Sequence, residues 1–197
     1  NIAKKFPKCK VQGISISREQ IDYCNQKYNL SNLIFILQDY RELQYNIYDK
    51  IYSVGFLEHI GAKNYDDFFN ITYRLLKNNG IMLAHTITKH KESKDSDPWI
   101  NKYIFPGGYL PSMGQVVKVS EKTNYELTDV QEFGNYYALT LPSWLQNCRI
   151  SFPDVQEEQP EIFTTKFMRM WELYIIMSKV GFTSRHLHLE QVVLTKM

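Results

Sequence analysis

The chain has 197 residues, 44% of them hydrophobic and 22% charged, which excludes a disordered or fibrous protein and predicts one soluble globular domain. Lysine and arginine number 23 and aspartate and glutamate 21, a formal charge of +2, so no general basic field attracts nucleic acid. The three cysteines form no CxxC pair, which argues against a disulfide framework or structural zinc site and favours a reducing, cytoplasmic compartment.

The first half of the sequence alternates predicted strands with predicted helices. The strands are short apolar or β-branched runs over residues 9–16, 33–37, 51–56 and 81–87. Ser17 and Gln20 form a capping box that opens a helix ending near residue 28. Apolar residues at helical spacing predict a second helix over 65–77, stopped by Asn79-Gly80. This alternation predicts parallel βαβ units, and therefore a doubly wound α/β sheet with helices on both faces.

The second half begins with an irregular stretch, residues 88–112, rich in proline, glycine and aromatic residues. A loop of that length inside a compact domain is usually functional. The elements predicted after it are helices over 115–122, 136–149 and 161–179, and strands over 125–130 and 186–196. Because the sequence contains no repeat or linker, we expect a single domain over residues 1–197.

Polar side chains follow two neighbouring strands where each strand ends. Glu58 and His59 come directly after the strand at 51–56, and His85 closes the strand at 81–87. A carboxylate and an imidazole at adjacent strand ends can share a small ligand or a proton. In the alternative interpretation, Glu58 caps the next helix and His85 is a hydrogen-bonded core histidine. We expect no metal site, since no HExxH or paired Cys/His spacing is present.

Other catalytic motifs are missing from the sequence. It has no G-x-S-x-G, no P-loop and no G-x-G-x-x-G. The aromatic segment 98–112 contains one cation, Lys102, too few for a platform that binds single-stranded nucleic acid. Two interpretations of this segment remain open, a hydrophobic flap or the lining of an entry for an apolar substrate.

Several strings resemble the cyclopropane fatty acid synthase and mycolic acid cyclopropane synthase family. They cover nearly the whole chain and include GISISREQ (13–20), LQDYREL (37–43), IYSVGFLEHIGAKNYDDFF (51–69), LLKNNGIMLAHTI (75–87), DPWINKYIFPGGYLPS (97–112), FGNYYALTLPSW (133–144) and FMRMWELYI (167–175). The EHIG, HTI and DPWINKYIFPGG strings are specific to this family rather than general to methyltransferases.

The resemblance implies an S-adenosylmethionine-dependent methyltransferase with a Rossmann-like, seven-stranded class I sheet. The implied reaction transfers a methyl group to the cis double bond of a lipid acyl chain, and a cyclopropane ring closes as a proton leaves to bound bicarbonate. Glu58, His85 and Tyr137 match the family positions that hold bicarbonate, with the backbone of Ile87 near it. A buried anion at this point lies where positive charge develops and can act as the base.

The resemblance also implies the cofactor and substrate contacts. The positions that match cofactor-binding residues are Ser15, Ser17, Gln20, Asp39, Tyr40, Val54 and Gly55. Arg41 departs from the family pattern on the adenine side. Tyr103 and Phe105 match the segment over the acyl channel. Because the substrate is a lipid, we expect peripheral membrane contact without a spanning helix, and no nucleic-acid partner.

The front of the chain departs from the family. Residues 1–6 resemble the end of the helix that follows the family's glycine-rich GCGWG-type loop, and this loop is not among the 197 residues. We therefore expect a sheet without its first, central strand, and weak binding of S-adenosylmethionine by this chain alone. Two alternatives stay open: a related N- or C-methyltransferase with another substrate, or a non-catalytic remnant of such an enzyme.

Overall fold

The computed structural model describes residues 1–43, 48–93 and 97–197. The chain folds into two compact units, Asn1–Ile47 (unit 1) and Tyr48–Met197 (unit 2). Part of the predicted irregular stretch, residues 94–96, lies outside the described residues.

Unit 1 contains two parallel strands and a helix between them. Its elements are α1 (Ile2–Lys5), β1 (Val11–Ser15), α2 (Arg18–Lys27), β2 (Leu33–Leu37) and a 3₁₀ turn (Tyr40–Glu42). Ser17 caps α2 by accepting a hydrogen bond from the Gln20 backbone N–H at 3.3 Å. The Gln20 side chain accepts instead from the Ser15 hydroxyl at 2.8 Å. The predicted capping box is therefore only half formed.

Unit 2 holds the larger sheet and most of the buried core. Its elements in chain order are β3 (Tyr48–Val54), α3 (Leu57–Ile60), a 3₁₀ turn (Ala62–Asn64), α4 (Tyr65–Leu75), β4 (Leu76–Lys89), α5 (Pro98–Tyr103), α6 (Met113–Lys122), β5 (Tyr125–Glu132), α7 (Gly134–Glu158), α8 (Thr165–Thr183) and β6 (Leu187–Lys196).

The strand order of this sheet is β3-β4-β6-β5. β3 and β4 are parallel, as predicted, but β6 is antiparallel to both β4 and β5. The parallel units were predicted for the first half of the chain, and no direction was predicted for β6. Two helices, α7 and α8, connect β5 to β6 and return the chain to the edge of the sheet at which β5 ends. Within the described residues, β1 and β2 form a separate two-stranded sheet.

Helices pack on both faces of the four-stranded sheet. On one face, Met82 of β4 lies opposite Leu194 of β6, and both are buried. The Tyr125 hydroxyl contacts Met82 and lies 3.2 Å from the hydroxyl of Thr72 in α4. On the other face, Leu189 of β6 belongs to a buried cluster with α7 and α8, whose other members are Ala138, Leu141, Ile175 and Phe182.

Two predicted boundaries differ from the structure for identifiable reasons. The prolines Pro142 and Pro153 lie inside α7, where a helix normally breaks, and α7 continues through them while packing along α8. The irregular stretch contains α5, which begins where the Asp97 carboxylate accepts hydrogen bonds from the N–H groups of Trp99 and Ile100, both at 2.9 Å. Proline after an N-cap aspartate is a helix-start signal that the sequence prediction missed.

Candidate active site

A tight turn after β3 positions the first candidate residue. Val54 pairs with His85 of β4, and the next residue, Gly55, has φ +62°, a left-handed conformation that glycine adopts without steric cost. The Gly55 N–H donates to the His85 carbonyl at 2.8 Å. The chain then enters α3, so Glu58 lies beside the carboxyl end of β4.

The Glu58 side chain is buried, with 9% exposure. Its Oε1 accepts a hydrogen bond from the Ile87 N–H at 2.7 Å, while Oε2 has no hydrogen-bond partner within the described residues. Glu58 therefore does not cap α3. It connects α3 to β4, and one of its oxygens is left available in a buried position.

His85 and Ile87 alternate with buried neighbours along β4. Ala84, Thr86 and Thr88 are fully buried, whereas His85 and Ile87 are half-buried. Since side chains alternate between the two faces of a strand, His85 and Ile87 share one face. The side chain of Ile87 packs against the hydrophobic cluster between α7 and α8.

Tyr137 of α7 packs against that same cluster. Its ring meets Phe182 edge-on at 5.0 Å between centroids, and meets Trp144 edge-on at 5.8 Å. Burial raises the pKa of the Tyr137 phenol, and Tyr174 adds to that rise. The hydroxyl therefore stays protonated at neutral pH. Ile87 connects Glu58 with Tyr137, because its N–H binds Glu58 and its side chain packs on the same cluster as Tyr137. Glu58 and Tyr137 therefore lie in one neighbourhood. His85 lies two residues before Ile87 on the same strand.

The aromatic segment after α5 closes over this neighbourhood. The Tyr109 N–H donates to the Glu58 carbonyl at 2.9 Å, and the Lys89 N–H donates to the Pro111 carbonyl at 2.8 Å. Phe105 is 43% exposed. Its ring meets the rings of His59 and Tyr174 edge-on, with 6.2 Å and 5.8 Å between centroids. The segment is thus attached to both α3 and the end of β4.

Tyr103 differs from Phe105 in its contacts. Its ring lies 5.9 Å from Trp99, and the Lys102 ammonium lies 4.9 Å from its centroid, all within α5. At 46% exposure it lies on the surface of unit 2. Of the two residues predicted to cover the acyl channel, Phe105 is the one with ring contacts to the neighbourhood of Glu58.

The predicted cofactor residues belong to both units. In unit 1, Ser15, Ser17 and Gln20 form a hydrogen-bonded group at the end of β1. Asp39 precedes the half-buried Tyr40 and is bound by Arg41, with 2.6 Å between the guanidinium nitrogen and Oδ2. Hydrogen bonds from Arg41 lower the pKa of the Asp39 carboxyl. Val54 and Gly55 belong to unit 2, where Val54 is 65% exposed at the end of β3.

Tyr174 was not singled out from the sequence. It contacts both Phe105 and Trp171, and burial raises the pKa of its phenol while a hydrogen bond with Ser178 opposes that rise. The string that contains Tyr174 carries part of the family resemblance, but helical spacing alone gives an aromatic residue of α8 no separate signal.

Within the described ranges 1–43, 48–93 and 97–197, no group of three or more His, Cys, Asp or Glu side chains is arranged to hold a metal ion. None of the helices in these ranges is both long and apolar enough to cross a membrane.

The chain is similar in sequence to known proteins. The family described as mycolic acid cyclopropane synthetase matches residues 2–192. The cyclopropane-fatty-acyl-phospholipid synthase of Escherichia coli (strain K12) is 38% identical over 186 residues, covering 94% of this chain and 47% of the relative. Cyclopropane mycolic acid synthase 1 of Mycobacterium tuberculosis is 32% identical over 151 residues, covering 68% of this chain and 52% of that protein. The chain thus spans about half the length of these relatives.

Solved structures agree with the sequence matches. A mycolic acid cyclopropane synthase complexed with SAH and CTAB superposes with a TM-score of 0.86 at 26% identity, covering 99% of this chain and 72% of the other. The cyclopropane synthase MmaA2 from Mycobacterium tuberculosis also gives a TM-score of 0.86, at 23% identity, covering 98% of this chain and 72% of the other. The fold is that of the class I methyltransferases, and the chain belongs to the mycolic acid cyclopropane synthetase family.

Proposed function

We propose that a protein carrying this chain transfers the methyl group of S-adenosylmethionine to the cis double bond of a phospholipid acyl chain and closes a cyclopropane ring. Bicarbonate is the proposed base. Membership of the family and 38% identity to the synthase of Escherichia coli support methyl transfer to a lipid. The observation that carries the finer proposal is the buried Glu58 carboxylate, with one oxygen held by Ile87 and the other unpartnered in the described residues.

The donor set around Glu58 fits bicarbonate. An acceptor left unpaired in a buried position costs about 1–3 kcal/mol, and the O–H group of bicarbonate is a donor for Glu58 Oε2. The Tyr137 hydroxyl, kept protonated by burial, and the imidazole of His85 are donors for the anion's remaining oxygens. The Ile87 N–H donates to Glu58, so its direct role is to orient the carboxylate.

When bound, S-adenosylmethionine supplies the methyl group and bicarbonate accepts the proton lost on ring closure. Glu58, His85 and Tyr137 would hold that anion, and a fixed negative charge near the developing positive charge would lower the barrier. The aromatic faces of Phe105 and Tyr174 stabilise the same charge. The apolar cluster behind Ile87 limits access of water.

The predicted cofactor residues of unit 1 and of unit 2 are proposed to bind S-adenosylmethionine. Ser15, Ser17 and Gln20 supply hydroxyl and amide groups toward the ribose and amino-acid portions, and Asp39 with Tyr40 supplies the adenine side. Val54 and Gly55 lie at the strand end proposed to face the sulfonium. Arg41 donates to both oxygens of Asp39, and these hydrogen bonds lower the pKa of the carboxyl.

The acyl chain is proposed to lie beneath the segment that carries Tyr103 and Phe105. A solved relative was complexed with CTAB, a long-chain amphiphile, which supports a substrate with an acyl chain. A protein of this kind is proposed to work in the cytoplasm at the surface of a membrane.

The test is a chimera in which this chain replaces the aligned part of the Escherichia coli relative. The chimera is incubated with S-adenosylmethionine, vesicles of unsaturated phospholipid and added or depleted bicarbonate, and the fatty acids are then analysed by mass spectrometry. Cyclopropane product whose formation falls when bicarbonate is depleted supports the proposal.

Two other outcomes favour the alternatives. Methylated amine or methyl-branched lipid, formed independently of bicarbonate, indicates a related methyltransferase with another substrate. No transfer by a folded chimera indicates a non-catalytic remnant.

A further inference from the structure

The outer face of α8 carries an exposed apolar strip. Leu173, Ile176, Met177 and Val180 are 45%, 46%, 38% and 58% exposed, and they follow the spacing of one helix face. The inner face of the same helix buries Ile175 in the cluster shared with α7. Shallow apolar grooves lie along the strip. A contiguous apolar surface of this kind on a folded protein marks a site of interaction.

The segment that carries this strip is rich in cations, and one of them, Lys179, lines a groove beside Ile176 and Val180. Residues 165–186 contain four of them, Lys166, Arg169, Lys179 and Arg185, and a single acid. That acid, Glu172, is already paired with Arg149 at 2.6 Å. Four cations and one acid give the segment a formal charge of +3, against +2 for the entire chain. The partner that fits this surface is therefore both apolar and anionic.

The strip ends near the candidate active site. The His186 N–H donates to the Gly181 carbonyl at 3.0 Å, which turns the chain from α8 into β6. Leu187, the first residue of β6, pairs with Lys89 at the carboxyl end of β4. The C-terminal end of α8 therefore lies at the same edge of the sheet as His85 and Ile87.

We propose that the outer face of α8 docks on the surface of an anionic phospholipid membrane. The apolar strip enters the boundary between headgroups and acyl chains, and Lys179 and Arg185 meet the lipid phosphates. This placement brings the lipid to the edge of the sheet where the acyl chain reacts. The choice of lipid rests on the proposed function.

A second copy of the chain fits the apolar strip of α8 less well than an anionic lipid does. In a symmetric dimer the same patch meets itself, so the apolar strips would be covered while segments of +3 charge faced each other. Like charges opposed across an interface disfavour association. The charge pattern therefore selects lipid over self-association.

The test measures vesicle binding by the 197-residue chain without S-adenosylmethionine. The chain is sedimented with vesicles of phosphatidylglycerol or of phosphatidylcholine, at low and high salt. We expect tighter binding to phosphatidylglycerol, weakened by salt. Val180→Ser should weaken binding to both lipids about tenfold. Lys179→Gln should weaken binding about fivefold, and only to the anionic lipid.

Matched controls come from exposed positions outside α8. Ile34, 55% exposed on β2, serves as Ile34→Ser, and the exposed Lys118 of α6 serves as Lys118→Gln. Neither should change vesicle binding, and circular dichroism checks that all four variants are folded.

Three results would overturn the proposal: no vesicle binding by the unaltered chain, binding that Val180→Ser and Lys179→Gln leave unchanged, or a dimer in analytical ultracentrifugation that Val180→Ser converts to monomer. Since the assay needs no turnover, none of these results bears on whether the protein forms cyclopropane rings.

Discussion

Two buried glutamates flank the carboxyl end of β4, and they differ in how their oxygens are satisfied. Glu58 and Glu190 are 9% and 8% exposed. Glu190 stands opposite Thr86 in the sheet, and its Oε2 accepts a hydrogen bond from the Thr88 hydroxyl at 2.8 Å. Glu58 Oε1 is held by a backbone N–H, and its Oε2 has no partner in the described residues.

The comparison shows that residue type and burial do not by themselves identify a site. Each glutamate has a histidine on the strand beside it. The charge of His188 acts on Glu190, and His85 lies two residues before Ile87, whose N–H binds Glu58. Neither oxygen of Glu190 is both fully buried and without a partner in the described residues, so this carboxylate belongs to the core structure. An unsatisfied one costs free energy in the folded chain, and a ligand that supplies the missing hydrogen bond recovers it.

Substitution of each glutamate by glutamine is the strongest test of this difference. In the chimera, Glu58→Gln should reduce cyclopropane formation about 100-fold or more, because the amide no longer accepts at both oxygens. The affinity for S-adenosylmethionine should stay nearly unchanged. Glu190→Gln is the matched control and should leave ring formation within about threefold.

Initial rates and calorimetric titration of the cofactor measure the two quantities. Equal losses of turnover and cofactor affinity in Glu58→Gln would assign Glu58 to cofactor binding. A loss in Glu190→Gln as large as that in Glu58→Gln would remove the distinction between the two acids.

Tyr137→Phe sharpens the same comparison on the Glu58 side. The ring and its contacts with Phe182 remain, so stability should change by less than about 1 kcal/mol. Loss of the donor hydroxyl should reduce ring formation about tenfold. Tyr136→Phe, at a neighbouring residue that is 70% exposed, should have no effect. Equal effects of the two variants in the rate assay would show that the Tyr137 hydroxyl has no special role.

Gly55→Ala tests the turn that positions Glu58. A Cβ at Gly55 meets no atom within 4 Å, so the cost arises only from the positive φ and should be about 1 kcal/mol. Urea denaturation measures it. Gly114→Ala in α6, where the nearest side-chain atom lies at 3.8 Å, should cost nothing. If Gly55→Ala also costs nothing, the turn adopts another conformation in solution.

Much of the fold was predictable because the apolar runs and helical spacings are local signals. β2 was predicted over the residues it occupies, 33–37. The direction of β6 was not predictable from such signals, because it depends on how α7 and α8 together return the chain. The doubly wound prediction places helices over both faces of β2, but Ile34 of β2 is 55% exposed. Burial could not be predicted because it depends on which neighbours cover a strand.

The candidate site was partly predictable by one rule of topology. Chemically active side chains at the carboxyl ends of parallel strands meet at one edge of the sheet, and this rule selected Glu58 and His85. The family resemblance added Ile87 and Tyr137. The hydrogen bond from Ile87 to Glu58 joins residues 29 positions apart in sequence, and the contact of Phe105 with Tyr174 depends on the packing of α8. Neither contact has a local sequence signal.

The smallest effect we predict concerns the pH dependence that Glu190 gives to stability. Burial raises the pKa of the Glu190 carboxyl above its usual 4.5, helped by the charge of Glu132 and opposed by Thr88 and His188. The folded chain therefore holds this proton more tightly than the unfolded chain. The resulting stability is fully present below pH 4.5 and is lost as the pH rises through the folded pKa.

Glu190→Gln stays uncharged at every pH and keeps an oxygen that accepts from Thr88. It should match the unaltered chain at pH 4 and unfold a few degrees higher at pH 7, as measured by thermal denaturation at both values. A lower unfolding temperature for the variant at pH 7 would mean that the charged carboxylate is stabilised by His188. In that case Glu190 would contribute to the core as an ion, and its contrast with Glu58 would rest on hydrogen bonding alone.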